Sequence, residues 1–303
     1  MSFDIMLSLC IPTNGIVEWV FPVLDSIYNE EMPVDTFEVI VTDNGNNLEF
    51  KRKMYEYASK HINLVYKETN AVQFTNQIEA FRLAKGKMIK FVNHRMRLLP
   101  GALNYLISYA KNNYKEKPVT YFANGMLQDG VYTSFDEYVN NLSYYSSWSA
   151  GTSMWRDDFN RMDLSKPFNK LFPHIDMIFS EKKKKAYIID NHILMKGADI
   201  TDEKKKGHYD IFYAFAVEYP SIILELYKEN TISYSTFYKI KCDTLNYLAE
   251  LYLQYVIRKK PCSYDLSGYS KAINVFYRHT DVIKSLPKQI VTRMSKKINR
   301  NFF

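Results

Sequence analysis

Cysteine is scarce: Cys10, Cys242 and Cys262 are the only three in 303 residues. They are too few and too scattered for a disulfide framework or a zinc site. Long apolar runs are missing as well, because no stretch reaches the roughly 18 uncharged residues that a membrane-spanning helix requires. The opening Met1-Ser2-Phe3-Asp4 carries an acid and lacks the basic and apolar regions of a signal peptide, so a reducing cytoplasm is the expected setting. Neither Gly-x-Gly-x-x-Gly nor a P-loop occurs, which leaves dinucleotide and P-loop chemistry unsupported. The net charge is +7, yet no helix-turn-helix, zinc or RNP signature accompanies it, and nucleic acid is not an expected partner. Acids vanish from one stretch: Val282 to Phe303 holds six Lys or Arg and no Asp or Glu.

What is present is ample material for a core, with 47% hydrophobic residues, so disordered and fibrous classes are excluded. Strand and helix signals alternate through the first 125 or so residues. Ile5, Leu7, Leu9 and Ile11 set a period of two over Asp4–Ile11; Pro12-Thr13-Asn14-Gly15 breaks it, and Val17–Tyr28 reads as a helix. Further strands are expected at Phe37–Val41, Ile62–Tyr66, Met88–Val92 and Pro118–Ala123, and further helices up to about Lys60, over Val72–Ala84 and over Gly101–Asn112. This rhythm predicts a largely parallel sheet with helices on both faces, whose ligands bind beyond the carboxyl ends of the strands. The loops of interest are therefore Pro12–Gly15, Asp43–Asn47 and Asn93–Arg97. Pro173–Ser180 reads as a helix start and Ala186–Asp190 as a short strand. Beyond Gly207 the chain reads as helices rich in Tyr, Leu and Ile.

The run Leu7-Ser8-Leu9-Cys10-Ile11-Pro12-Thr13-Asn14, followed by Phe37-Glu38-Val39-Ile40-Val41-Thr42-Asp43-Asn44-Gly45, resembles the opening of family 2 glycosyltransferases with the GT-A fold. Asn70 with Asn76–Gly86, the strand Lys87–Val92, and Arg97-Leu98-Leu99-Pro100-Gly101-Ala102-Leu103 continue the likeness, which spans about residues 5–195. It implies an α/β fold, a GT-A-like, mostly parallel sheet flanked by helices (1–206), and says nothing of the helical C-terminal region (207–303), which is read from the sequence pattern alone. It also implies sugar transfer from a nucleotide donor to a glycan or lipid-linked glycan hydroxyl, with inversion, during bacterial surface-polysaccharide assembly. By resemblance Pro12, Thr13, Asn14, Asp43, Asn44 and Asn76 hold the nucleotide. Asp43 can accept a hydrogen bond from a pyrimidine N3–H; its alternative role is to cap the following turn.

One departure is prominent. The family carries Asp-x-Asp after its fourth strand to hold Mg²⁺ or Mn²⁺ against the diphosphate. Here the window reads Asn93-His94-Arg95-Met96-Arg97 and contains no carboxylate. A divalent metal is unsupported there, and Arg95, Arg97 or a protonated His94 would offset the charge directly. The alternatives are a site lost together with activity, leaving a non-catalytic scaffold protein, or replacement by carboxylates elsewhere such as Asp129. Asp176, in Phe172-Pro173-His174-Ile175-Asp176, falls where the family places its general base, and otherwise reads as a first-turn helix acid. Trp148 and Trp155 flank the expected acceptor wall and otherwise belong to the core, while His192 is a further acceptor- or sugar-side candidate. The lysine runs Lys182–Lys185 and Lys204–Lys206 read as solvated loops. The basic tail 282–303 has amphipathic spacing at Ile283, Leu286, Ile290, Met294 and Ile298; it suits an anionic membrane surface, a docked helix or an oligomer contact.

Overall fold

The computed structural model describes residues 4–197 and 207–287, so Lys204–Lys206 and the tail beyond residue 287 lie outside the described residues. The chain forms two compact units, one comprising Met1–Tyr138 with Tyr145–Ile200, the other Val139–Tyr144 with Thr201–Phe303.

The first unit begins β1 (Leu7–Thr13), α1 (Val17–Tyr28), β2 (Phe37–Asp43), α2 (Leu48–Ser59), β3 (Leu64–Glu68), α3 (Asn76–Leu83), β4 (Met88–Phe91), β5 (Met96–Leu98) and α4 (Ala102–Asn113). It continues β6 (Val119–Phe122), β7 (Gly130–Tyr132), α5 (Phe135–Leu142), β8 (Ser153–Trp155), α6 (Arg156–Arg161), α7 (Pro173–Ile178), β9 (Tyr187–Asp190) and β10 (Met195–Gly197). The main sheet runs β3-β2-β1-β4-β8. Its first four strands are parallel and β8 closes the edge antiparallel to β4. The mixed α/β class with a mainly parallel sheet is therefore as the sequence implied.

Burial explains the period. Leu7, Leu9 and Ile11 pack on one face with α1 residues Val20, Val23, Leu24 and Ile27, while Cys10 joins Ile40, Ile78, Phe81 and Ile89 on the other. A central parallel strand is covered on both sides, so its intervening positions must be small or apolar too. Glu38 is the exception. It is buried, but its Oε1 accepts from Ser8 Oγ at 2.6 Å and Gly86 N at 3.1 Å, latching β2 to β1 and to the turn before β4. Gly86 is obligatory there, because a Cβ would sit 2.7 Å from the Leu7 carbonyl carbon.

Two expectations need correcting. The strand foreseen at Pro118–Ala123 does not extend the main sheet. As β6 it pairs with β9 in a separate three-stranded sheet, order β6-β9-β7. The main sheet's fifth strand is instead β8, three residues within a segment expected to be an open acceptor wall. The run Lys182–Lys185 is not uniformly solvated either: Lys184 Nζ lies 2.7 Å from Oδ2 of the buried Asp158.

The second unit is helical. Ile211–Tyr213, Tyr219–Lys228, Tyr234–Leu251 and Tyr269–Phe276 bury Ile211, Phe212, Tyr219, Ile223, Ile240, Leu248 and Ile273. The short segment 139–144 belongs to it through polar side chains: Ser143 Oγ donates to Asp243 at 2.6 Å and Tyr219 OH to Ser143 O at 2.8 Å. Among the described residues no helix is long and apolar enough to cross a membrane.

Candidate active site at the strand ends

β1, β2 and β4 end side by side, and each ends in a turn that polar side chains shape. Thr13 Oγ1 accepts from Gly15 N at 3.1 Å and lies 2.8 Å from His94 Nδ1, so the first loop is tied to the third. Gly45 is forced by close approach, since a Cβ there would fall 2.1 Å from Asn14 O. Asn44 Nδ2 donates to Ala71 O at 2.9 Å. Pro12 is half-buried and Asn14 exposed on this rim.

Asp43 and Asn76, expected to hold the nucleotide, are both buried and hydrogen-bonded to protein groups. Asp43 has no exposed surface; its Oδ1 accepts from Gly45 N at 2.7 Å and its Oδ2 from Tyr66 OH at 3.1 Å. Burial raises its pKa, against the Gly45 and Tyr66 hydrogen bonds that lower it. A base could reach this carboxylate only if Tyr66 or the Gly45 turn moved, so the turn-capping role is the one in place. Asn76 is likewise internal. Its Nδ2 donates to Thr13 O at 3.1 Å and Thr42 O at 2.9 Å, and its Oδ1 accepts from Thr69 Oγ1 at 2.8 Å. All of these partners are protein groups, which makes Asn76 a staple between β1 and β2.

The window after β4 holds two half-buried arginines, Arg95 and Arg97. The Arg95 guanidinium lies 5.2 Å from the Trp19 ring centroid, and Asn93 Oδ1 accepts from Arg95 N at 3.0 Å. No ion pair joins Arg95 to a carboxylate among the described residues. The cation–π contact with the indole and the Nε donation to Asn93 Oδ1 at 3.5 Å hold the guanidinium, and its terminal N–H groups suit oxygen ligands. His94 packs edge-on to Trp19 with centroids 5.2 Å apart; burial first and Arg95 second push its pKa down to about 3. A protonated His94 at neutral pH is thus overturned, and the ring is a neutral spacer. Trp19 escaped the sequence reading because it sits in the first turn of a helix otherwise read for its core stripe. Divalent metal fits this window poorly: Asn93 is its one oxygen-bearing side chain, and that oxygen already serves Arg95.

Asp176 lies in the first turn of α7, half-buried, with Oδ2 accepting from Asn169 N at 2.6 Å. His174 on the same helix is buried with its pKa pushed down to about 4, chiefly by burial, so it carries no charge at neutral pH. Trp155 is core: 2% exposed, with Nε1 donating to Pro118 O at 2.7 Å. Of the two expectations for Trp155, acceptor wall or core, the core is the one the structure shows. Trp148 is half-buried and packs against the same core. The turn that carries it is fastened from below, Tyr121 OH donating to Tyr145 O and Trp148 O at 2.6 and 2.8 Å and Lys90 Nζ to Ala150 O at 2.5 Å.

Lys90 was not anticipated, although a lysine inside Met-Ile-Lys-Phe is a visible anomaly. It is fully buried, and burial pushes its pKa from 10.5 to about 7. Between those values the unfolded chain binds more protons than the folded one, so stability rises with pH. Compared with Lys90→Met, the wild type gains up to about 1.4 kcal/mol per pH unit above 7. Parallel melting-temperature profiles of the two proteins from pH 6 to pH 10 would refute this neutral-lysine account.

His192 neighbours neither tryptophan. Its ring lies 4.4 Å from that of Tyr105, whose hydroxyl is 2.8 Å from His192 Nδ1 and donates to Asp190 Oδ2 at 2.6 Å. Asp129, Asp190 and His192 offer three ligand atoms within 4.8 Å of one another. The β10–β5 register sets Met195 opposite Leu98 and Gly197 opposite Met96, and Leu99 N donates to Leu194 O. Among the described residues the group Asp129, Asp190 and His192 is the cluster that could hold a metal ion, the alternative that named Asp129.

No family model matches the sequence, and no curated protein matches it. The fold does have solved counterparts. TarS residues 1–349 from S. aureus superimposes with a TM-score of 0.61 at 12% identity, covering 94% of this chain and 82% of that one. The same protein in complex with UDP-GlcNAc gives 0.59 at 14% identity, covering 94% and 83%. Against a longer TarS chain the match covers 73% of this chain and 40% of that one, with a TM-score of 0.50. At such identities the likeness establishes a shared fold.

Proposed function

We propose that the chain is a nucleotide-sugar-dependent glycosyltransferase of GT-A type that transfers a sugar to a glycan hydroxyl with inversion. The observation that carries this is Arg95, a guanidinium without a carboxylate partner among the described residues, 5.2 Å from the Trp19 ring centroid in the loop after β4 of a parallel sheet. Fold likeness to a protein solved with UDP-GlcNAc supports it. Arg95 would bind the donor's diphosphate bidentately and stabilise the negative charge that builds on the leaving nucleotide. Thr13, Asn14, Asn44 and the backbone around Gly45 would frame the nucleotide, with Asp43 holding the turn from behind. Asp176 would take the proton of the attacking hydroxyl. Trp148 would offer an apolar face to the acceptor. An acceptor on a lipid carrier at the inner face of the membrane suits the basic tail 282–303.

Ligand-induced thermal shifts with UDP-, GDP-, CDP- and dTDP-sugars test the donor step, because a ligand that binds the folded state raises its melting temperature. At least one nucleotide sugar should stabilise the protein in the presence of EDTA. Stabilisation by none of them, or only after Mn²⁺ is added, would defeat a metal-independent cationic site.

A further inference from the structure

Asp190 closes β9 with 5% of its surface exposed, and among the described residues no lysine or arginine pairs with it. None pairs with Asp129 either, although its exposed carboxylate reaches the same spot from the residue ahead of β7. Buried carboxylates are ordinarily balanced by a cationic side chain or a bound metal ion. The basic group that meets them here is the His192 ring, whose Nδ1 lies 3.1 Å from Asp190 Oδ1. Two acids against one imidazole leave the group short of positive charge.

The spacing suits a single ion. One atom from each of Asp129, Asp190 and His192 lies within 4.8 Å of the others. Ligands about 2.1 Å from a transition-metal ion stand about 3.0 Å apart at right angles and about 3.4 Å apart in a tetrahedron. The 3.1 Å between Asp190 Oδ1 and His192 Nδ1 already has the spacing of two ligands on one centre. An ion there takes the place of the proton that these two atoms share, and the proton leaves to solvent. Asp129 Oδ2, without a hydrogen-bond partner among the described residues, completes the set. Neighbours brace both acids: Tyr105 OH donates to Asp190 Oδ2 at 2.6 Å, and Asn191 N to Asp129 Oδ1 at 2.7 Å. Leu127 N in turn donates to Asn191 Oδ1 at 3.1 Å, which ties the turn before β7 to the end of β9. Bonds of this kind orient ligating carboxylates, and each accepting oxygen keeps a second lone pair.

We propose that Asp129, Asp190 and His192 bind one divalent transition-metal ion, Zn²⁺ in preference to Mg²⁺. An imidazole with two carboxylates is a mixed nitrogen–oxygen set that suits Zn²⁺, whereas Mg²⁺ and Ca²⁺ favour oxygen alone. The two carboxylates match the charge of the ion. Three protein ligands leave a fourth position for water or for an oxygen of a bound molecule. None of the ligands comes from the window after β4, and the assignment does not rest on the reading of the chain as a glycosyltransferase.

Full-length protein stripped with EDTA and then dialysed against zinc chloride should retain one equivalent of Zn²⁺, and its melting temperature should rise with the metal. His192→Ala and Asp129→Asn, both at exposed positions where the fold is least disturbed, should each weaken Zn²⁺ binding tenfold or more and lose the thermal shift. The Cys242→Ser/Cys262→Ser double variant should bind as the wild type does, which separates this site from thiolate ligation. Mg²⁺ at the same concentration should leave the melting temperature unchanged. Failure of the folded wild type to retain zinc would overturn the site. So would equal retention by His192→Ala and Asp129→Asn, tighter binding of Mg²⁺ or Ca²⁺ than of Zn²⁺, or loss of binding in the cysteine variant. Nucleotide is absent throughout, so a failure here leaves the donor assignment standing, and the reverse also holds.

Discussion

Arg95→Ala is expected to lower kcat/KM for the donor by at least a hundredfold while leaving the melting temperature of the free protein close to that of the wild type. The guanidinium rests on the Trp19 face and its backbone is braced by Asn93, so its orientation is set before any ligand arrives. Removal of one preorganised donor from a site of developing negative charge costs about 2.7–4 kcal/mol, a factor of 10²–10³ in kcat. Here the effect belongs at the upper end, because the same window offers no carboxylate to recruit a metal and His94 is neutral at pH 7. Arg95→Lys should recover only part of the loss, since an ammonium neither stacks like a guanidinium nor binds two oxygens in one plane. Trp19→Leu should lie between the two, by loosening the guanidinium without deleting its charge. An Arg95→Ala enzyme within threefold of wild type would remove the cationic replacement for Asp-x-Asp. His94→Ala should be the milder lesion, since it takes away a spacer and a Thr13 contact but no charge.

The parts of this molecule that were legible in the sequence are those written in local patterns. β1 and β2 announce themselves through apolar period and the turn-formers behind them, and α1 through its stripe. β8 was not legible: three residues, Ser-Met-Trp, become a strand only because β4 offers a free edge from far along the chain. The same holds for β6, whose composition marks a strand but whose partner is chosen by tertiary pairing with β9. Thr13, Asn44 and Asn93 stand at or just past the ends of β1, β2 and β4, where a parallel sheet places its ligand loops, and that much was legible. What each side chain does there was hidden, since it depends on non-local neighbours. Tyr66 comes from β3 to close Asp43, Asn76 comes from α3 to staple two strand ends, and Trp19 comes from α1 to carry Arg95. Lys90 is the instructive omission, because a charged residue within a buried strand is visible in the sequence and asks what satisfies it. The answer, the carbonyls of Ala150 and Thr152, comes from a turn far along the chain and has no local signature.

Asp176→Asn separates catalysis from binding most sharply, because the substitution is nearly isosteric. The hydrogen bond from Asn169 N to Asp176 Oδ2 can be kept by an amide oxygen, and Asn169 Oδ1 continues to accept from Leu171 N and Phe172 N at the start of α7. The short helix should therefore stand, and with it the melting temperature and the nucleotide-sugar thermal shift. What disappears is a group able to take a proton from the acceptor hydroxyl as it attacks. General-base catalysis contributes about 10²–10⁴-fold, so kcat should fall by that factor with little change in donor KM. His174 cannot rescue the variant, since it is buried and points its basicity downward to about 4. The pH–rate profile gives an independent readout: the acidic limb that reports deprotonation of the base in wild type should be lost from the residual activity of the variant. Full turnover by Asp176→Asn would return Asp176 to the role of a first-turn helix acid, and the proton acceptor would then have to be sought elsewhere on the rim.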